Sequence, residues 1–540
     1  MEFETLAKSV NLDALIPRDD FLATEGSVAG ESGKQSASQT DLKKGESFYL
    51  TLRKPDFQRE TSAWSPNAVC DFIKAFIDGD LIPSVICWQS ESRLSFIIDG
   101  AHRLSAIIAW LNDDYGDGDD SIKFYDNRIP EEQRKIAQKT RDLINSEIGS
   151  FKDFTAEMKN PNSNPRLTAR VRALGHSTIP LLWVKSGDSK KAESAFLTIN
   201  QSAVEIDPTE LKILKDRKKP NAIAARAIVR NATGHIYWKD FSDTSRTEIE
   251  SSAKSIYSSL YNPPLKSPIR NDDLPIAGFG YGSQTLPLVF DFVNIANNIP
   301  VVDSSKGNRK AVVSADNAPL DEQATVEAVR LTNKLIRRIT GTNPSSLGLH
   351  PAVYFYSANG RHQPTTVLAM ALLVREMEVS NEFANFTSVR NLFEEFMIEH
   401  KMFVNQLTVR HGSMVKGFRQ IKDYFEFVLK AFTAGKSTQD ILSELHQHDK
   451  YQILIKERPT PTVKSKEFSG KLINLKFLSD SLSKAFRCGV CGARIDNKSM
   501  NLDHVQDKSA GGIGSSENAQ WTHPYCNSTH KQHTSRSKTQ

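Results

Sequence analysis

Cysteine is scarce in this chain, five residues in 540, and that scarcity excludes a disulfide-built secreted scaffold. Cys70 and Cys87 stand alone, whereas Cys488, Cys491 and Cys526 crowd toward the C-terminus, a clustering that points to metal rather than to cross-links. Long apolar runs are missing too: no stretch approaches the ~18 residues that a membrane-spanning helix needs. The first ten residues carry Glu2 and Glu4 and neither an apolar stretch nor a small-residue cleavage site, so they do not read as a secretory signal. The expectation is a cytoplasmic protein with no membrane partner. Charge imbalance is small, net +5, but uneven: after residue 460, twelve Lys and Arg face six Asp and Glu. The tail holds the whole basic surplus, which suits phosphate contacts.

What is present is the composition of a globular protein, 39% hydrophobic and 25% charged, in a chain long enough for about three or four folding units. Residues 1–47 read as an N-terminal segment, partly flexible, because 22–46 is rich in Ser, Gly, Gln and Lys without apolar periodicity. The fold is expected to begin near Phe48. Ser65-Pro66 places a cap and a first-turn proline before Val69, Phe72, Ile73, Phe76 and Ile77, one helical face that Gly79 closes. Ser84–Trp88, Leu94–Ile98 and Ile179–Val184 are short, branched and bounded by turns, so they read as strands. A helix from about Ala101 to Leu111 and a polar helical region from about Pro130 to Leu167 make residues 48–225 a mixed α/β domain. Amphipathic runs at Glu322–Thr340, Ser388–Leu407 and Phe418–Phe432 mark 226–456 as mostly α-helical. Residues 457–485 read as a linker and 486–540 as a small terminal module.

In that module Cys488-Gly-Val-Cys491 and His523-Pro-Tyr-Cys526 are two pairs with two-residue gaps, each able to offer two corners of a tetrahedron to one Zn²⁺. Four protein ligands close the site, so the ion is structural, as a module with so meagre a core requires. Between the pairs lie Asp503-His504, a Gly-rich loop through Gly511-Gly512 and Gly514, and Asn518; Asn527 follows Cys526. The combination over 487–531 resembles the HNH, or ββα-metal, nucleases. The resemblance implies that His504 is the general base, that Asp503 and Asn527 are oxygen ligands of a catalytic Mg²⁺ or Mn²⁺, and that Asn518 orients the loop beside His504. Asn527 stands where many members have His, and His523 replaces a more usual cysteine.

The second constellation is Asp99-Gly-Ala-His-Arg103 at a strand-to-helix junction, where backbone N–H groups and an arginine can cradle phosphate. Pro55-Asp-Phe-Gln58-Arg59, Trp64, Ile82-Pro83, Phe196-Leu-Thr-Ile-Asn200 and Pro208-Thr-Glu210-Leu211 accompany it in a fixed order. That order resembles the N-terminal domain of GmrSD-type restriction enzymes, a ParB/sulfiredoxin-like fold shared with the phosphorothioate-sensing protein SspE. The resemblance implies binding or hydrolysis of a nucleoside triphosphate by Asp99, Gly100, His102, Arg103, Gln58, Arg59 and Asn200. Family members commonly have Gln-Gln or Gln-His where this chain has Ala101-His102. Trp64 reads as packing.

The expected whole is a multidomain α+β protein: an N-terminal ParB-like α/β domain, a helical middle and a zinc-bound ββα-metal module. Its expected work is cleavage of phage or modified DNA by the module, gated by the nucleotide-binding or DNA-sensing domain. Two other readings stand beside it: a non-catalytic ParB-like binding protein whose zinc module only grips DNA, and a mobile-element homing nuclease indifferent to nucleotide.

Overall fold

The computed structural model describes residues 9–19, 21, 34–56, 58, 60–184, 209, 212–213, 216–282, 284–301, 320–454 and 467–530. Within residues 9–184 a six-stranded mixed sheet carries β1 (Arg18–Asp19), β2 (Ser36–Ser38), β3 (Leu52–Pro55), β4 (Val85–Gln89), β5 (Ser95–Asp99) and β6 (Thr178–Trp183) in the order β1-β3-β5-β4-β6-β2. β4 and β5 pair antiparallel, while β3 runs parallel to β5 and β6 parallel to β4. The alternation of side chains across a strand divides the apolar residues between two faces. Val85, Cys87 and Ile97 join the main core under the helices, and Trp88, Phe96 and Ile98 form a small cluster of their own.

The helices that cover the main face form where the sequence places their ends. Ser65 Oγ accepts the Ala68 N–H at 3.2 Å, Pro66 occupies the first turn, and Gly79 closes helix Pro66–Asp78 at φ +78°. Its buried stripe, Val69, Ile73, Phe76 and Ile77, is the predicted one with Phe72 left half-buried. Helix Ala101–Asn112 leaves the end of β5, and the expected polar helical region resolves into Glu131–Glu147, Phe151–Lys159 and Pro165–Leu174.

The fold starts earlier than Phe48. Val10, Leu12, Leu15 and Ile16 are buried in the α/β core, β1 pairs with β3, and β2, inside the stretch read as flexible, pairs antiparallel with β6. Asp13 is the hub of this segment: its carboxylate takes Arg18 at 2.8 Å and Lys54 at 2.7 Å with all three buried. These cations hold the Asp13 carboxyl well below its ordinary range against the burial that opposes ionisation.

From 216 to 454 the regular elements among the described residues are helical, and one apolar core runs from Ile213 through the helices to Tyr525. The run expected over Ser388–Leu407 is two helices, Phe383–Glu399 and Lys401–His411, meeting at the buried His400. Of the expected linker 457–485, residues 457–466 lie outside the described residues. Its second half is helix Gly470–Lys484, whose Leu478 and Leu482 are buried in the helical core. No helix among the described residues is long and apolar enough to cross a membrane.

Candidate zinc module and Asp-Gly turn

The terminal module is built on a hairpin. β7 (Asn501–His504) and β8 (Ala519–Thr522) pair antiparallel with Asp503 opposite Gln520 and His504 opposite Ala519. Asp503 points to the buried side and its Oδ2 accepts the Gln520 amide at 3.1 Å; His504, the last strand residue, is partly exposed. The loop between the strands is tied by Asn518. Its Oδ1 accepts the Gln506 N–H at 2.7 Å, and its amide donates to the carbonyls of Gln506 at 3.2 Å and Ile513 at 2.8 Å. Only glycine fits at 512, because a Cβ there would lie 1.9 Å from the Gln506 carbonyl oxygen. After β8 the chain turns into the helical segment Cys526–His530, where Asn527 donates its N–H to the His523 carbonyl at 3.0 Å.

This hairpin and the knuckle before it bring Cys488, Cys491, His523 and Cys526 together, with their ligand atoms within 4.8 Å of one another. A Zn–S bond near 2.3 Å makes sulfur atoms about 4 Å apart, so the spacing fits a tetrahedral ion. His523 is oriented for it. Its Nε2 bonds to the Arg494 carbonyl at 2.9 Å, leaving Nδ1 facing Cys491 Sγ at 3.4 Å and Cys526 Sγ at 3.8 Å. Hydrogen bonds from Cys491 and then Cys526 pull the Cys488 thiol far below its ordinary range. The same bonds raise Cys491 to about 12 and Cys526 well above a thiol's usual range. A dication held there would resolve that competition by taking all three as thiolates.

The module is seated on the helical core by charge. Arg494 sends its guanidinium to Glu395 at 3.0 and 3.2 Å and its backbone N–H to Glu394 at 2.9 Å. Arg487 also reaches Glu395, at 2.7 Å. Glu394 is itself fully buried, holding Arg390 at 2.8 Å and the Tyr354 hydroxyl at 3.0 Å. Lys498 pairs with Asp273 at 2.8 Å on another side of the module.

At the N-terminal constellation, Asp99 ends β5 and Gly100 precedes helix Ala101–Asn112 in the left-handed region at φ +97°. A Cβ at Gly100 would sit 2.7 Å from Val85 Cγ2. Asp99 and Arg103 are bound to each other, Oδ2 to Nη2 at 2.5 Å. His102 Nε2 accepts the Ala63 N–H at 3.2 Å, and its ring stacks on Trp64, which packs on Phe72. Asp99, Gly100, His102 and Arg103 thus share one turn. Gln58 lies apart from them on the loop after β3, buried, its carbonyl held by Arg18. Arg59, Asn200, Pro208, Glu210, Leu211 and Lys531 lie outside the described residues, as does the side chain of His530.

Residues 40–216 match the family described as the GmrSD restriction endonuclease, N-terminal domain. No curated protein and no solved structure matches the chain. The matched span takes in β3 to β6 and the Asp99 turn and stops before helix Pro220–Val229. The N-terminal third of the chain is therefore similar to the N-terminal domain of a restriction endonuclease.

What sequence reading missed is the seam between this domain and the helices. Asp56 meets Arg217 at 3.2 Å, Arg230 meets Glu60 at 3.2 Å and Asp13 at 3.8 Å, and the Tyr237 hydroxyl reaches the Asp56 carbonyl at 3.2 Å. A signal was there in the apolar residues of 10–16; for the seam's long-range pairs there was none.

Proposed function

We propose that the protein is a metal-dependent DNA endonuclease of a prokaryotic anti-phage restriction system. Its HNH-type terminal module hydrolyses phosphodiesters, and its ParB-like N-terminal domain, binding a nucleoside triphosphate or modified DNA, gates the cut. The observation that carries the reading is the Asp503-His504 end of β7, facing β8 across a loop tied by Asn518, with a Cys₃His cluster drawn from both flanks of the hairpin. The similarity of residues 40–216 to a restriction-enzyme domain supports it independently.

In this reading the zinc cluster holds the hairpin to Cys526 and so fixes where Asn527 lies relative to β7. His504 takes the proton from the attacking water, the role for which imidazole is suited near neutral pH. Asp503 and Asn527 supply carboxylate and amide oxygens, hard donors appropriate to Mg²⁺ or Mn²⁺. The bound cation would neutralise charge on the phosphate and the leaving oxygen. Asn518 keeps the loop from collapsing onto His504. In the N-terminal domain, Arg103 is engaged by Asp99, and a triphosphate would compete for it, coupling ligand binding to the turn that begins helix Ala101–Asn112.

The test is cleavage of unmodified and phage-modified DNA with Mg²⁺ or Mn²⁺, with and without each nucleoside triphosphate, for wild type and His504→Ala. Loss of a general base predicts a fall of about 10² to 10⁴-fold in the variant. Equal cutting by both proteins would remove His504 from the chemistry and, with it, the HNH reading.

A further inference from the structure

Between the α/β domain and the helices lies a cavity of about 610 Å³, within the size range of small-ligand sites. Its walls come from both sides of the seam: Gln58 from the loop after β3, Arg226 and Arg230 from helix Pro220–Val229 and its end, Tyr237 beyond it, and Tyr257 and Tyr261 from helix Asp243–Tyr261. Two of these side chains bury a polar atom that has no partner among the described residues. Gln58 is 7% exposed with Oε1 unsatisfied, and Tyr261 is 2% exposed with its hydroxyl unsatisfied. Buried polar atoms normally find partners, because one left alone gives up its hydration without compensation.

Arg226 is the third anomaly. It is 4% exposed, donates to the Arg217 carbonyl at 3.3 Å and lies 4.4 Å from the centre of the Tyr237 ring. Among the described residues no carboxylate lies within ion-pair distance of it: Asp56 is taken by Arg217, and Glu60 by Arg230. Burial pushes the Arg226 guanidinium below its ordinary range, the reverse of what a partnered arginine shows. A desolvated cation and two unsatisfied polar atoms, facing one cavity ringed by tyrosines, define the complement of a ligand. It must carry negative charge, offer hydrogen-bond donors and acceptors, and present a flat ring for aromatic contact.

We infer that this cavity is a nucleotide site separate from the Asp99 turn, taking a planar heteroaromatic base that carries a phosphate, with Arg226 on the phosphate and Gln58 and Tyr261 on polar edges. The inference rests on the nucleotide-sensing part of the proposed function and adds to it a second place where the chain reads a nucleotide. The base and phosphate could reach the cavity as a free nucleotide or as a nucleotide turned out of DNA. Either would bridge the two domains. It would also touch the loop that contacts the Asp99 turn, since Ala63 lines the cavity and donates to His102.

The experiment is equilibrium binding to the full chain, without any cleavage readout, of dAMP, dCMP, dGMP and dTMP and of a twelve-base-pair duplex. It compares wild type with Tyr261→Phe, Arg226→Met and Arg103→Ala. At least one probe is expected to bind, and Tyr261→Phe and Arg226→Met are each expected to weaken it tenfold or more. Arg226→Met should also raise the melting temperature of the unliganded protein, because it removes a buried cation that no carboxylate among the described residues pairs with; a merely structural arginine would lower it. Binding by the monophosphates identifies a free nucleotide as the source; binding by the duplex alone, with the same dependence on Tyr261 and Arg226, identifies DNA. The inference is overturned if no probe binds, or if binding survives both cavity variants and is lost in Arg103→Ala. Neither overturning result touches the His504 cleavage test, so failure here and failure of the nuclease reading are told apart.

Discussion

His523 shows how a candidate metal ligand is braced by its own second ring nitrogen. Its Nε2 is committed to the Arg494 carbonyl and its Nδ1 to the sulfurs, so ring orientation is set before any ion arrives. His523→Ala removes a ligand and that brace together. Zinc affinity should fall by more than the roughly 10–100-fold that follows from disturbing an outer partner alone, read as loss of zinc to a chelator that leaves wild type loaded. Asp496 carries a different prediction. Burial first, with repulsion from Asp273 adding to it against attraction from Lys498, lifts its carboxyl to about 7, and its Oδ2 has no partner among the described residues. A carboxyl raised in the folded state favours folding while protonated, and that contribution is lost as pH climbs from the unfolded value near 4 through 7. Asp496→Asn should therefore gain on wild type in melting temperature between pH 4 and pH 8 and level off above about 7. A constant difference across that range would mean that Asp496 does not titrate there.

At the scale of elements, what the sequence made legible is what local chemistry decides. Helix Pro66–Asp78 was readable to the residue because Ser65, Pro66 and Gly79 mark its ends and Val69, Ile73, Phe76 and Ile77 its face. Ser65→Ala, which leaves the Ala68 N–H without its acceptor, should cost about 1 kcal/mol in denaturant unfolding. β4 and β5 were equally plain from their branched, turn-bounded runs. β1 and β2 were not, since strands of two and three residues are too short to show a period, and their partners β3 and β6 lie far along the chain. Helix Gly470–Lys484 hid inside an expected linker because it buries little beyond Leu478 and Leu482 and shows no apolar stripe. The candidate site divides the same way. Two-residue spacings announced the four candidate zinc ligands, which the structure brings together. The cavity, whose wall runs from Asn11 to Leu286, has no local signature at all.

Across the whole molecule, the terminal module is not a body swinging on a tether, because its charges are rooted in the helical core. The root is Glu394, which holds Arg390 and Tyr354 on one side and the Arg494 backbone on the other, in a region where Arg390 also donates to the Leu347 and Gly348 carbonyls. Zinc held by the cluster would order the knuckle that leads to Arg494, so zinc binding and packing of the helical core would be coupled through this carboxylate. Linkage then requires that a chelator lower the melting temperature of the helical core as well as that of the module, by the free energy of zinc binding to the folded form. Glu394→Ala strips the partner from a buried guanidinium, a change that costs about 3–5 kcal/mol, and it also severs the coupling. In wild type, hydrogen exchange in helix Phe383–Glu399 should quicken when zinc is removed. In Glu394→Ala it should be fast already and indifferent to the chelator. If the wild-type helix stays protected without zinc, module and core are energetically independent, and gating must reach the hairpin by some route other than the Glu394 contact.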